Sequence, residues 1–153
     1  IAAGERWFEP GKFLEAITKK AVDILQPDVS HAGGLSEVKR IAHMAHIELI
    51  PVAPHNPVGP VMNAMTLHTA VAIPNFSIFE TVSVDVPWRK ELVRETLVFD
   101  KGDLLAPTAP GLGVELIEAA CARFPYEATN LPLYDGSINV AGVAAGNPTM
   151  KDR

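Results

Sequence analysis

Cysteine is almost absent from this chain: Cys121 is the one thiol among 153 residues. No internal disulfide can form, so the fold has to rest on a packed core, and a reducing cytoplasm is the expected setting. Positive charge is scarce too. Thirteen Lys and Arg stand against eighteen Asp and Glu, the net charge is −5, and no Lys/Arg run occurs. That balance argues against a nucleic-acid surface. Long apolar runs are missing; the longest are about strand length, far short of the roughly 18 residues of a membrane span. The first residue is Ile1, with no basic n-region or long h-region behind it, so nothing reads as a signal peptide. Neither nucleic acid nor membrane is an expected partner.

What is present is 48% apolar and 20% charged residues, the balance of a globular chain with enough length for a real core. Four polar residues end four short apolar runs. Glu5 follows Ile1-Ala2-Ala3-Gly4, and Asp28 follows Val22 to Pro27. His55 follows Leu49 to Pro54, and Glu80 follows Phe76 to Phe79. The spacing from Glu5 to Asp28 to His55 to Glu80 is nearly even. Repeated β/α units produce such a beat, and in a (β/α) barrel the active site gathers at the C-terminal ends of the strands. The four side chains are then expected to face one pocket.

Each interval holds a helix-length crossover, as parallel strands require. Phe13, Leu14 and Ile17 predict a first helix ending near Lys19-Lys20, where cations suit the helix dipole. Ser36 reads as the N-cap of a second helix with Val38, Ile41, Ala42 and Ala45 on one face. The third strand is expected over Glu48–Ala53. Pro60 suits the first turn of a third helix running to about Val71, and the fourth strand is Phe76–Phe79. After Glu80 the beat stops. Residues 81–112 read as irregular with short strands such as Leu97–Phe99. Pro110 to Glu115 reads as a turn, followed by a helix bearing Leu116, Ala119, Ala120 and Ala122. The tail from Tyr126 to Arg153 lacks periodicity. A complete eight-unit barrel needs roughly 200 to 250 residues, so the chain is expected to be the C-terminal part of a longer enzyme.

Asp28 and His55 on adjacent strands could form a dyad. A carboxylate on one ring nitrogen fixes the tautomer and leaves the other nitrogen for proton transfer. Asp28 as a turn cap and His55 as a loop histidine fit the spacing equally well. Of Glu5 and Glu80, one could bind a hard cation such as Mg²⁺ and the other donate to a developing oxyanion; each also fits a surface loop. His31 could reach the same pocket or order its own turn. Arg6 could bind a substrate carboxylate or hydroxyl, or pair with Asp28 or Glu5 at the rim. His43 and His46 read as solvated and His68 as a packed helix residue. Trp7 and Phe8 read as packing residues, and Cys121 has no evident catalytic partner.

Four strings carry a resemblance: Gly4-Glu5-Arg6, Asp23 to Gly34 (DILQPDVSHAGG), Ala53 to Pro60 (APHNPVGP) and Pro110 to Glu115 (PGLGVE). Together they resemble the mandelate racemase branch of the enolase superfamily, and within it the acid-sugar dehydratases of the galactonate dehydratase type. The resemblance implies an α/β fold: the C-terminal part of a modified TIM-type barrel over residues 1–95. Residues 96–153 would return to an α+β capping domain. It implies Glu5 as a metal ligand, Asp28 and His55 as the catalytic dyad, and Glu80 as the acid that hydrogen-bonds the substrate carboxylate. Arg6, His31 and Asn56 become candidate substrate-binding residues, with Mg²⁺ as cofactor. The implied reaction is a lyase reaction. A sugar acid such as galactonate or gluconate loses its α-proton to give an enediolate, then water, and ends as a 2-keto-3-deoxy acid. Racemisation or cycloisomerisation on the same dyad is the rival chemistry, and a non-catalytic homologue the rival class. The implied partners are the small-molecule substrate and the N-terminal part of the same enzyme, which would bring two further metal carboxylates and the other acid/base group. A homo-oligomer is the expected assembly.

Overall fold

A computed structural model describes residues 1–82, 88–94 and 98–125. Two compact units divide the chain, Ile1–Glu118 and Ala119–Arg153. The first unit opens as three β/α steps. Strand β1 (Ala2–Ala3) leads to helix α1 (Pro10–Thr18), strand β2 (Ile24–Leu25) to α2 (Leu35–Ile47), and an extended segment bridged at Val52 and His55 to α3 (Pro60–Ala72). The pairing is parallel throughout, from Ala2↔Ile24 through Leu25↔Val52 to Val52↔Phe76. Backbone bonds stitch it together: Leu25 N–H donates to Pro51 O at 3.0 Å, and Ser77 N–H to Val52 O at 2.8 Å. The regular strands are shorter than expected. Glu48 and Leu49 belong to the turn after α2, Leu49 at φ 57°, so the third strand position starts only near Ile50.

The helices form because one face of each is apolar at helical spacing. On α2, Val38, Ile41, Ala42 and Ala45 are all buried, as expected. On α1 the buried residues are Phe13, Ala16 and Ile17, whereas Leu14 is half exposed. Pro10 and Pro60 open α1 and α3, where a missing N–H leaves no bond unmade. The core runs from Phe13 and Ile17 through Leu25 and Val29 to Val38, Ile41, Val52 and Ile73.

Beyond α3 the described strands are short and antiparallel. Strand β3 (Val93–Arg94) is followed by β4 (Phe99–Asp100) and β5 (Asp103–Leu104), which make a hairpin turned by Lys101-Gly102, both at positive φ. Leu97 and residues 126–153 lie outside the described residues.

Two expectations on helix ends are corrected. The cap of α2 is Gly34 at φ 93°, not Ser36. Gly34 N–H closes onto Val29 O at 3.0 Å and its carbonyl accepts from Glu37 and Val38, so Ser36 already lies inside the first turn. Leu116 is not helical. Glu115–Leu116 is strand β6, antiparallel to β3, and only Glu118–Cys121 forms the short helix α4. A strand partner remote in sequence overrides the local apolar spacing. In the second unit, the Arg123 guanidinium stands 5.6 Å over the Phe124 ring. Among the described residues no helix is long and apolar enough to cross a membrane.

Candidate active site

Gly4 starts the site. Its φ of +135° lets the chain leave β1 sharply, and a Cβ there would stand 3.1 Å from Phe13 Cε1 and 3.2 Å from Gln26 N. Only glycine accepts both the angle and the crowding. The next residue, Glu5, therefore comes off the end of β1 with half its side chain exposed. Asp28 is placed by β2 one pairing further on, and His55 lies opposite it in a parallel bridge, its N–H donating to Pro27 O at 3.1 Å.

Asp28 is 1% exposed. Burial alone would push its carboxyl up, but the Ser30 hydroxyl and the His55 ring donate to it. The Ser30 N–H and the charge of His31 add to them, and together they hold it below the ordinary carboxylate range. Ser30 N–H reaches Asp28 Oδ1 at 2.6 Å, with the Ser30 hydroxyl on the same oxygen. Oδ2 takes His55 Nδ1 at 2.8 Å. An ionised carboxylate only accepts, so His55 Nδ1 carries the proton and Nε2 is left for chemistry. That Nε2 stands 3.4 Å from Glu5 Oε2. The ring thus stands between two carboxylates, with Asp28 at Nδ1 and Glu5 at Nε2.

His31 joins the cluster. Its Nδ1–H donates to Glu5 O at 2.8 Å, it stands 4.0 Å from Asp28 Oδ2, and its ring stacks on that of His55 at 6.5 Å. The Phe8 ring is tilted against that of His31 at 5.4 Å, while Trp7 packs edge-on against Phe13. Arg6 is exposed on the turn beside Glu5. Glu5, Asp28, His31 and His55 are thus one cluster. Glu80 is linked to the segment through Asn56, whose N–H donates to Glu80 Oε2 at 3.2 Å.

Asn56, a candidate substrate contact, lies in the interior. It is fully buried, and its amide is bonded to Asn63, Thr66 and the Glu80 carbonyl. Sequence reasoning also passed over Ser30, which holds the dyad carboxylate. The Asp-x-Ser spacing was the available signal, because a serine two residues on closes a side-chain turn. His43 and His46 are exposed on α2, and half-buried His68 donates to Leu112 O at 3.2 Å.

A hard cation takes oxygen ligands. Glu5 offers one carboxylate, half exposed and facing the dyad, which fits it as one ligand. Among the described residues no group of three His, Cys, Asp or Glu side chains is placed to hold a metal, so Glu5 would be a contributor and not a site by itself.

Comparison with known proteins gives the geometry a context. Residues 1–120 match the family described as Enolase C-terminal domain-like. A D-galactonate dehydratase family member of Streptomyces bingchenggensis is 38% identical over 143 residues, covering 90% of this chain and 34% of that protein. A D-galactarolactone cycloisomerase of Agrobacterium fabrum is 33% identical over 132 residues, covering 81% of this chain and 35% of that one. The crystal structure of a mandelate racemase/muconate lactonizing enzyme from Jannaschia sp. CCS1 superposes with a TM-score of 0.78 at 34% identity, covering 87% of this chain and 34% of the other. The chain spans about a third of the length of the curated relatives it matches. It belongs to the Enolase C-terminal domain-like family of the enolase superfamily, a TIM-barrel-type α/β family, with mandelate racemase/muconate lactonizing enzymes as structural neighbours.

Proposed function

We propose that this segment carries half of the active site of a Mg²⁺-dependent sugar-acid dehydratase acting on an aldonate such as galactonate or gluconate. The observation that carries the reading is the Asp28–His55 dyad, with Nδ1 committed to the carboxylate and Nε2 facing Glu5. Glu5 is one ligand of the cation and Glu80 the hydrogen-bond donor to the substrate carboxylate. Residues from about 96 onward return to the capping domain. The remaining metal carboxylates and the second acid/base group come from the other two thirds of a chain of the relatives' length.

The reaction begins with a proton that is hard to remove, because its loss puts a second negative charge on an anion. Mg²⁺, when bound, supplies positive charge against that anion. In this reading Glu80 donates a hydrogen bond to the oxygen where charge develops. Two proton transfers complete dehydration: removal of the α-proton, and protonation of the departing β-hydroxyl as water. His55 Nε2 carries one of them. The resulting enol tautomerises to a 2-keto-3-deoxy acid.

The test is a screen of the full-length protein, with Mg²⁺, against a panel of aldonic and aldaric acids, detecting 2-keto-3-deoxy product. One strong hit supports dehydration and names the acid. Metal uptake without product from any acid would replace it with the second reading, cycloisomerisation or racemisation on the same dyad. The 33% identity to a D-galactarolactone cycloisomerase favours that alternative.

A further inference from the structure

Helix α3 buries six side chains, and three of them are polar: Asn63, Thr66 and Thr69. Thr69 turns back on its own helix and donates to Met65 O at 3.0 Å. Asn63 and Thr66 do not. They lie three residues apart, hence on one face, and both close on Asn56. Asn56 Nδ2 donates to Asn63 Oδ1 at 2.7 Å and to the Glu80 carbonyl at 3.0 Å. Thr66 Oγ1 donates to Asn56 Oδ1 at 3.3 Å. The orientation of the amide is forced: a main-chain carbonyl only accepts, so the group facing Glu80 O is the NH₂, and Asn63 must present its oxygen. Every polar atom of the Asn56 side chain is engaged, as a fully buried amide requires.

The consequence falls on Glu80. Asn56 grips it twice, through the Glu80 carbonyl and through Oε2 of its carboxylate, which accepts the Asn56 N–H at 3.2 Å. Asn56 also follows His55 directly. One peptide therefore ties the dyad to the acid that ends the next strand position.

We propose that Asn56 is a positioning residue, oriented by Asn63 and Thr66 on α3, that aims the Glu80 carboxylate and sets its spacing from the dyad. The inference rests on the reading of Glu80 as the donor to substrate. It also says which oxygen acts: with Oε2 committed as an acceptor, the proton Glu80 gives to substrate is carried on Oε1.

Asn63→Leu keeps the size of the side chain and removes the acceptor, while Asn63→Asp keeps an acceptor oxygen. In the full-length enzyme, with Mg²⁺ and the best acid of the panel, Asn63→Leu is expected to lower kcat about tenfold with KM within about twofold. Asn63→Asp should recover most of the loss. Combined with Glu80→Gln, Asn63→Leu should add nothing, because both changes act through one group. Additive losses, or parental kcat in the folded Asn63→Leu protein, would overturn the inference. Should Asn63→Leu not fold, Thr66→Val removes the other anchor of Asn56 and is read in the same way. An unchanged rate in Glu80→Gln would instead remove the donor reading itself. A crystal structure of Asn63→Leu needs no substrate: the Glu80 carboxylate is expected beyond hydrogen-bond reach of Asn56 N, and a carboxylate left in place would refute the positioning role.

Discussion

At the residue scale, Asp28 decides the most. Its folded-state pKa is depressed, so the ionised form is favoured on folding. The stability this contributes is present above the unfolded-state value, about pH 4, and is lost as pH falls through the lower folded-state value. Urea unfolding of the parent and Asp28→Asn proteins should show a gap at neutral pH that closes below about pH 4; a gap independent of pH would contradict this account. His55 is the complementary case, since the role proposed for it is chemical. In the full-length enzyme His55→Asn should lose about 10²–10⁴ in kcat with an unchanged far-UV spectrum, the usual worth of a positioned acid or base. Turnover near the parent's would rule out the assignment.

At the element scale, the ends of strands and helices place the chemistry. Gly4 turns the chain from β1 to Glu5 under a constraint no other residue meets. Gly4→Ala should cost about 1–3 kcal/mol of stability, as backbone strain at such positions does, and a chemical-denaturation midpoint identical to the parent's would show the turn to be more pliant than described. Element faces were legible in the amino-acid order. The buried stripe of α2 and the proline starts of α1 and α3 follow from periodicity and from the missing proline N–H. Ser36 and Leu116 were misread for two different reasons. A glycine at φ 93° can begin a helix earlier than any side-chain cap announces, and a strand partner at Val93 can claim a residue whose spacing looks helical.

At the scale of the whole molecule, exposed apolar surface is the main physical fact. Ile47, Leu49, Val71 and Ile78 are each more than half exposed. Among the described residues neither β1 nor the segment at Phe76 pairs with a further parallel strand. Open strand edges and large apolar patches invite association. This chain spans about a third of the curated relatives it matches, and in a chain of their length further strands are expected against the two open edges. Residues 1–153 expressed alone are therefore expected to bind a hydrophobic dye and to self-associate in sedimentation velocity. A monodisperse, cooperatively melting monomer would show that the three β/α steps suffice by themselves.

The amino-acid order by itself determined the β/α beat, the four strand-end polar residues and the apolar faces, because each depends on neighbours within a helical turn or a strand. The family strings around Gly4, Asp28, His55 and Gly111 were legible for the same reason: each is a short contiguous run. Tertiary structure decided the rest. That His55 Nδ1 meets Asp28 while Nε2 meets Glu5 is a matter of strand register, which joins residues far apart in the chain. That Asn56 is buried is likewise tertiary: its surroundings come from α3 and from the residue that ends the next strand position, and burial by distant elements leaves no mark on a local sequence.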